Sequence, residues 1–174
     1  MKKFSLLLFA VILFVACEKK TQRYFAESSE IETLKTGIKA YETADWDKWK
    51  SHFADTAKIF VNSTKPLTVE KRVEALKAMT SAMSSYGFDH DDEYVEMVLD
   101  KEDETWVYYW GLHKGTFAAT NKELSIPVHL AVQFVNGEIV EEHIYFDGTA
   151  MNQEFAAIAA AKAKAEAEAE AEKE

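Results

Sequence analysis

The feature that most constrains this chain is the run IPVHLAVQFVNGEIVEEHIYFD at residues 126–147. Two stretches rich in β-branched and aromatic residues flank Asn136-Gly137. A two-residue Asn-Gly loop is a strong hairpin signal, because both residues tolerate positive φ. Val135 is then expected opposite Glu138, and the pairing runs back as Phe134 with Ile139, Val132 with Glu141, Leu130 with His143, Val128 with Tyr145 and Ile126 with Asp147. Directly opposed residues share a face of the sheet. His143, Tyr145 and Asp147 are therefore expected in a row on the face that carries Ile126, Val128, Leu130, Val132, Phe134 and Ile139. Titratable groups on an apolar face are what the wall of a polar-tipped pocket looks like.

The N-terminus supplies an expected address. Lys2 and Lys3 precede an apolar run at residues 4–16 that Ser5 alone interrupts. That run is too short to span a bilayer comfortably and reads as a secretory leader. It ends in Leu13-Phe14-Val15-Ala16-Cys17, followed by Glu18-Lys19-Lys20. A small residue and then Cys resembles the lipobox of bacterial lipoproteins, in which the Cys is diacylated and opens the mature chain. Phe14 stands where Leu is more usual. Cys17 is the only Cys in the chain, so the fold is expected to stand on its core without an internal disulfide. The expected location is the bacterial cell envelope, lipid-anchored to the inner or outer membrane, with the domain outside the cytoplasm.

The chain carries 20 basic and 30 acidic residues, a net charge of −10, and removal of Lys2 and Lys3 makes it more negative. No basic cluster marks one face, which argues against nucleic acid as a partner. The same balance disfavours anionic ligands unless a local patch reverses the sign. The high share of Phe, Trp and Tyr supports a real core or a lined cavity.

Residues 17–28 read as a lipidated Cys and polar tether, 29–158 as one α+β domain, and 159–174 as a low-complexity Ala/Lys/Glu helix. Ser29 and Glu32 have capping-box spacing, and Ile31, Leu34, Ile38 and Tyr41 form the buried stripe of a first helix. Asp45 caps a shorter second helix, with Trp46, Trp49 and Phe53 read as core. Residues 57–61 read as a first strand. Thr68 caps a third helix with Val69, Val73, Leu76, Met79 and Met83 inward. The period then changes to two, with strands expected at residues 94–99, 105–117, 124–135 and 138–147. Helices followed by a meander of long strands argue α+β architecture. A curled, mostly antiparallel sheet with helices on its concave face encloses a cone-shaped barrel.

Three segments, GIKAYETADWDKWKSHFADTAKIFVN, GLHKGTF and NGEIVEEHIYFD, in that order and spacing, resemble the SnoaL-like, nuclear transport factor 2-like superfamily. The resemblance implies a cone-shaped α+β barrel with a pocket between helices and concave sheet, often dimeric through the convex face. Polyketide cyclases, ketosteroid isomerase, dehydratases and many inert binding domains share it. It also implies an acid–base role for Asp147 and a second polar group at His113. Ketosteroid isomerase-like members carry a base just after the first strand. Here residues 56–69 contain no acid and Asn62 lies near that place, which puts that mechanism in doubt.

Asp147 is thus the first catalytic candidate, since a carboxylate on an apolar face has a raised pKa and acts as a base near neutrality. The plainer alternative is that it caps the last helix or hydrogen-bonds Gly148-Thr149. His143, Tyr145 and His113 are the other catalytic candidates, with a structural imidazole as the alternative for His113. Tyr109, Trp110, Val128 and Leu130 are candidate ligand-binding residues. Tyr109 shares His113's parity and Trp110 has the opposite one, and the sequence leaves open which set faces the pocket. His129, Ile144 and Phe146, with Ala131 and Val140, fall on the other face and suggest a homodimer interface. His52 and His90 read as surface residues, and residues 89–93 as a solvated acidic stretch. No metal is expected, because no His pair has helical i, i+4 spacing. No cofactor is expected either, and no Gly-rich phosphate loop or serine elbow is present.

Two functions stay open at this level. One is a binding module for a small, largely apolar or aromatic molecule. The other is a lyase, isomerase or cyclase with Asp147 as general base and a His or Tyr stabilising an enolate-like oxygen. An assembly module working through the His129 face is the third.

Overall fold

The computed structural model describes residues 22–173. The leader at residues 1–16 and Cys17 lie outside them. The chain runs β1 (Tyr24–Phe25), α1 (Ser29–Glu42), α2 (Trp46–Lys50), β2 (Phe53–Val61), α3 (Val69–Ser81), β3 (Met83–Leu99), β4 (Thr105–Phe117), β5 (Glu123–Val135), β6 (Glu138–Phe146) and α4 (Thr149–Ala171). The strands form one six-stranded sheet in the order β1-β3-β4-β5-β6-β2. All pairs are antiparallel except β2 with β6, which is parallel. The sheet curls without closing, and α1, α2 and α3 pack on its concave side. The architecture is the expected α+β cone.

Local chemistry fixes the helix starts. Ser28, one residue before the expected cap, accepts a hydrogen bond from the Ile31 amide at 3.2 Å. Asp45 accepts from the Lys48 amide at 3.0 Å and Thr68 from the Lys71 amide at 3.4 Å. Each side chain satisfies a backbone donor that the first helical turn leaves free. Ile31, Leu34, Ile38 and Tyr41 then meet Val107, Tyr109, Leu130 and Val132 in one core. The strand β3 begins at Met83 rather than at residue 94. Its first half is polar because it flanks only β4, with a register shift between Asp89 and Tyr94. The expected solvated stretch at residues 89–93 therefore lies inside a strand, where Asp89 pairs with Lys114 and Glu93 accepts from Tyr109.

The β5–β6 hairpin departs from its simplest register in one place. Asn136 and Gly137 take φ of 53° and 84°, so the turn forms as expected, and Val135–Glu138 and Phe134–Ile139 pair as expected. A β-bulge then intervenes: Gln133 pairs with Glu141, Val132 with Glu142, Leu130 with Ile144 and Val128 with Phe146. One extra residue on β6 exchanges the two faces of the strand from that point onward. The bulge adds twist where β6 must curl and also receive β2 along its other edge. Glu142 and Ile144 turn inward at 5% and 4% exposure, while Tyr145 is half exposed.

Candidate functional site

A cavity of about 120 Å³ lies between the concave sheet and α1–α3. Leu34 and Ile38 from α1, Trp49 and Phe53 around α2, Leu76 from α3, and Val128, Leu130, Ile139 and Ile144 from the sheet make its wall largely apolar. Five polar side chains interrupt that wall: Tyr41, His52, Arg72, His113 and Glu142.

Glu142 sits at the bulged part of β6, opposite Val132 on β5 and Ile59 on β2. Burial pushes its carboxyl up to about 7, partly opposed by the nearby charges of Arg72 and His143. The inward stripe of α3 brings Arg72 to the same cavity, because it lies three residues after Val69 and four before Leu76. Burial lowers the pKa of its guanidinium, against the pull of Glu142 and then Tyr41. Tyr41 and His113 meet across the cavity wall, with Tyr41 Oη 2.8 Å from His113 Nε2. Burial raises the Tyr41 phenol and lowers the His113 imidazole. His52 is not a surface residue, since it turns into the cavity at the corner before β2, and burial lowers its pKa too. Among the described residues, the buried side-chain atoms that lack a hydrogen-bond partner include His52 Nε2, Arg72 Nε and Glu142 Oε2. All three residues line this one cavity.

The bulge corrects the expected row on β6. His143 and Tyr145 point to the convex face, where His143 bonds Glu141 at 2.7 Å and stacks on Phe60 with ring centroids 4.6 Å apart. Asp147 is exposed and accepts a hydrogen bond from the Thr149 amide at 2.9 Å. Hydrogen bonding to Thr149, through its side chain first and its backbone amide second, holds the carboxyl below the usual range, the opposite of what a neutral-pH base requires. Asp147 does not cap α4, whose N-cap is Gly148 without a side-chain bond; it bonds Thr149 just inside the helix instead. Of the candidate ligand-binding residues, Val128 and Leu130 line the cavity. Trp110 lies on the convex face, 42% exposed and stacked on His129 at 4.5 Å. Tyr109 points inward but is wholly buried in the core, with its hydroxyl on Glu93. The expected His129/Ile144/Phe146 interface does not exist as one face. His129 is convex, whereas Ile144 and Phe146 line the cavity. Asn62, near the place of the isomerase base, instead extends the β2–β6 pairing. Its side chain donates to the Phe146 carbonyl at 2.8 Å and accepts from the Phe146 amide at 3.1 Å.

No protein-family model matches the chain, and no curated protein matches it in sequence. Solved structures match in three dimensions. IdmH of Streptomyces antibioticus, a candidate polyketide cyclase, aligns at 15% identity with a TM-score of 0.59, covering 74% of this chain and 99% of that one. An NTF2-like protein of unknown function from Burkholderia pseudomallei aligns at 13% identity with a TM-score of 0.58, covering 73% and 97%. A hypothetical protein with a ketosteroid isomerase-like fold from Catenulispora acidiphila, solved in complex with trimethylamine, aligns at 12% identity with a TM-score of 0.53, covering 66% and 84%. The chain thus has the SnoaL-like, nuclear transport factor 2-like fold.

Proposed function

We propose that this protein is a ligand-binding domain whose cavity holds a small, largely apolar or aromatic molecule with one polar end, displayed from a bacterial membrane by a lipid on Cys17. The observation that carries the binding reading is the convergence of Glu142 Oε2, Arg72 Nε and His52 Nε2, all without partners, on one apolar cavity. A buried polar atom without a partner costs about 1–3 kcal/mol. Three such atoms around one space are what a site looks like when its polar complement arrives with a guest. The solved complex of a protein of this fold with trimethylamine supports a small guest. The anchor rests on the leader and the Ala16-Cys17 junction. Native mass spectrometry of the purified protein tests the reading: a retained small molecule is expected, lost when Leu130→Trp fills the cavity. A protein that is empty and binds no apolar probe contradicts it.

A second reading has its own support. A carboxyl pushed up to about 7 and facing an apolar cavity is suited to general acid–base work. Glu142, rather than Asp147, would then take the proton in a lyase, isomerase or cyclase reaction. Hydrogen–deuterium exchange at the carbon next to the carbonyl of a cavity-sized ketone tests it. Exchange catalysed by the wild type and abolished in Glu142→Gln is expected, and equal exchange by both proteins excludes Glu142 as the base.

A further inference from the structure

Resting on the binding reading above, we infer that the guest is a small monocarboxylate with an apolar body, its carboxylate held between the guanidinium of Arg72 and the carboxyl of Glu142. Arg72 and Glu142 are the two fully charged side-chain types in a lining that is otherwise apolar, aromatic or imidazole. Neither Arg72 Nε nor Glu142 Oε2 has a hydrogen-bond partner. A guanidinium withdrawn from water without an anion is costly, and its planar fork matches a carboxylate in two parallel hydrogen bonds. Arg72 is one of only two arginines in the chain, and the other, Arg23, pairs with Asp103 far along the sheet edge. A net charge of −10 repels anions from the molecule as a whole, so Arg72 reverses the sign at this one place.

Glu142 supplies the second half of the grip. A carboxylic acid donates its proton to an incoming carboxylate, whereas an ionised Glu142 repels it. The groups that set its charge are Arg72 on α3 and His143 on its own strand. The strands flanking it present Ile59 and Val132, which do not titrate. Tyr41, His52 and His113 complete the titratable set around the cavity. All three are held toward their neutral forms by burial, which leaves Glu142 as the cavity group whose protonation the grip depends on. The cavity volume of about 120 Å³ suits a body near the size of one ring, since a cavity of about 150 Å³ admits benzene.

Calorimetric titration of the full protein with phenylacetate and with phenylacetamide separates the possibilities. The amide keeps the ring and removes the charge. Phenylacetate is expected to bind at least tenfold tighter. Its affinity is expected to fall by up to about tenfold per pH unit above pH 7, because Glu142 must be protonated to bind. Arg72→Met is expected to abolish the preference for the acid, and Arg72→Lys, which keeps the charge without the fork, to retain part of it. Circular dichroism checks that each variant is folded. If Arg72→Met does not fold, Arg72→Lys and the pH series decide. Equal binding of acid and amide, or a preference that survives both Arg72 variants, overturns the carboxylate inference and leaves the cavity as a binding site. Failure of both probes to bind overturns the two together.

Discussion

Arg72 on α3 and Glu142 on β6 face one cavity, attract each other, and still leave Arg72 Nε and Glu142 Oε2 without a hydrogen-bond partner. A buried guanidinium and a buried carboxyl that do not close on each other keep the cost of burial without the return of an ion pair. The fold carries that cost at the cavity wall, just past the bulge in β6.

Glu142 makes stability depend on pH. Its carboxyl rises from an ordinary 4.5 to about 7 on folding, so between those values the folded state holds a proton that the unfolded chain releases. Glu142's contribution favours the folded state most below about 4.5, and it is lost as the pH rises through 7. The full difference is about 3 kcal/mol. Glu142→Gln is expected to be more stable than wild type by about 1–3 kcal/mol at pH 8.5. Near pH 4.5 the two are expected to be nearly equal. Urea unfolding at the two pH values measures this, and a Gln variant no more stable at high pH contradicts it.

Asp147 is predicted to be dispensable for the cavity. Its carboxylate meets solvent and the Thr149 amide. Asp147→Ala is expected to leave the urea midpoint close to that of wild type, with probe affinity within twofold of wild type. A large loss of binding with stability intact would return Asp147 to the site.

Gly111 has a steric role beside the site. A Cβ there would overlap the ring of Tyr109, which is wholly buried. Tyr109 therefore cannot swing toward solvent to make room. Gly111→Ala is expected to cost about 1–3 kcal/mol by overpacking, read as a lower urea midpoint at unchanged slope.

The lipid anchor is testable apart from the cavity. Cys17→Ser is expected to remove the acyl mass from the N-terminal peptide and to move the protein from the membrane to the soluble fraction. Unchanged fractionation with no acyl mass in wild type would refute lipidation at Cys17.

The fold was readable because its signals agree across levels. Asp45 and Thr68 start helices whose inward stripes repeat every three or four residues, and Asn136-Gly137 sets a hairpin turn. The site was readable only in part. His113, Val128 and Leu130 lie on strands whose alternation is unbroken near them, and they reach the cavity. On β6 one bulge reversed the alternation, so a row of three polar residues expected inside went outside and Glu142 took their place. The clue is the adjacent pair Ile139-Val140. Two neighbouring apolar residues cannot both face inward on a regular strand, and Ile144 and Phe146 continue the parity of the second. A strand without a bulge would have left that apolar set facing water. Arg72 was missed, although its place three residues after Val69 and four before Leu76 puts a cation on the inward stripe of α3 and was the available signal.

The central claim is that the cavity bounded by Arg72 and Glu142 is where this protein meets its guest. Crystals of the protein soaked with 4-bromophenylacetate, with bromine located by anomalous scattering, test it most directly. The account predicts a bromine site inside the cone, with the carboxylate within hydrogen-bond distance of both Arg72 and Glu142. Bromine found only on the convex aromatic face, or a cavity closed by a direct Arg72–Glu142 ion pair, would contradict it.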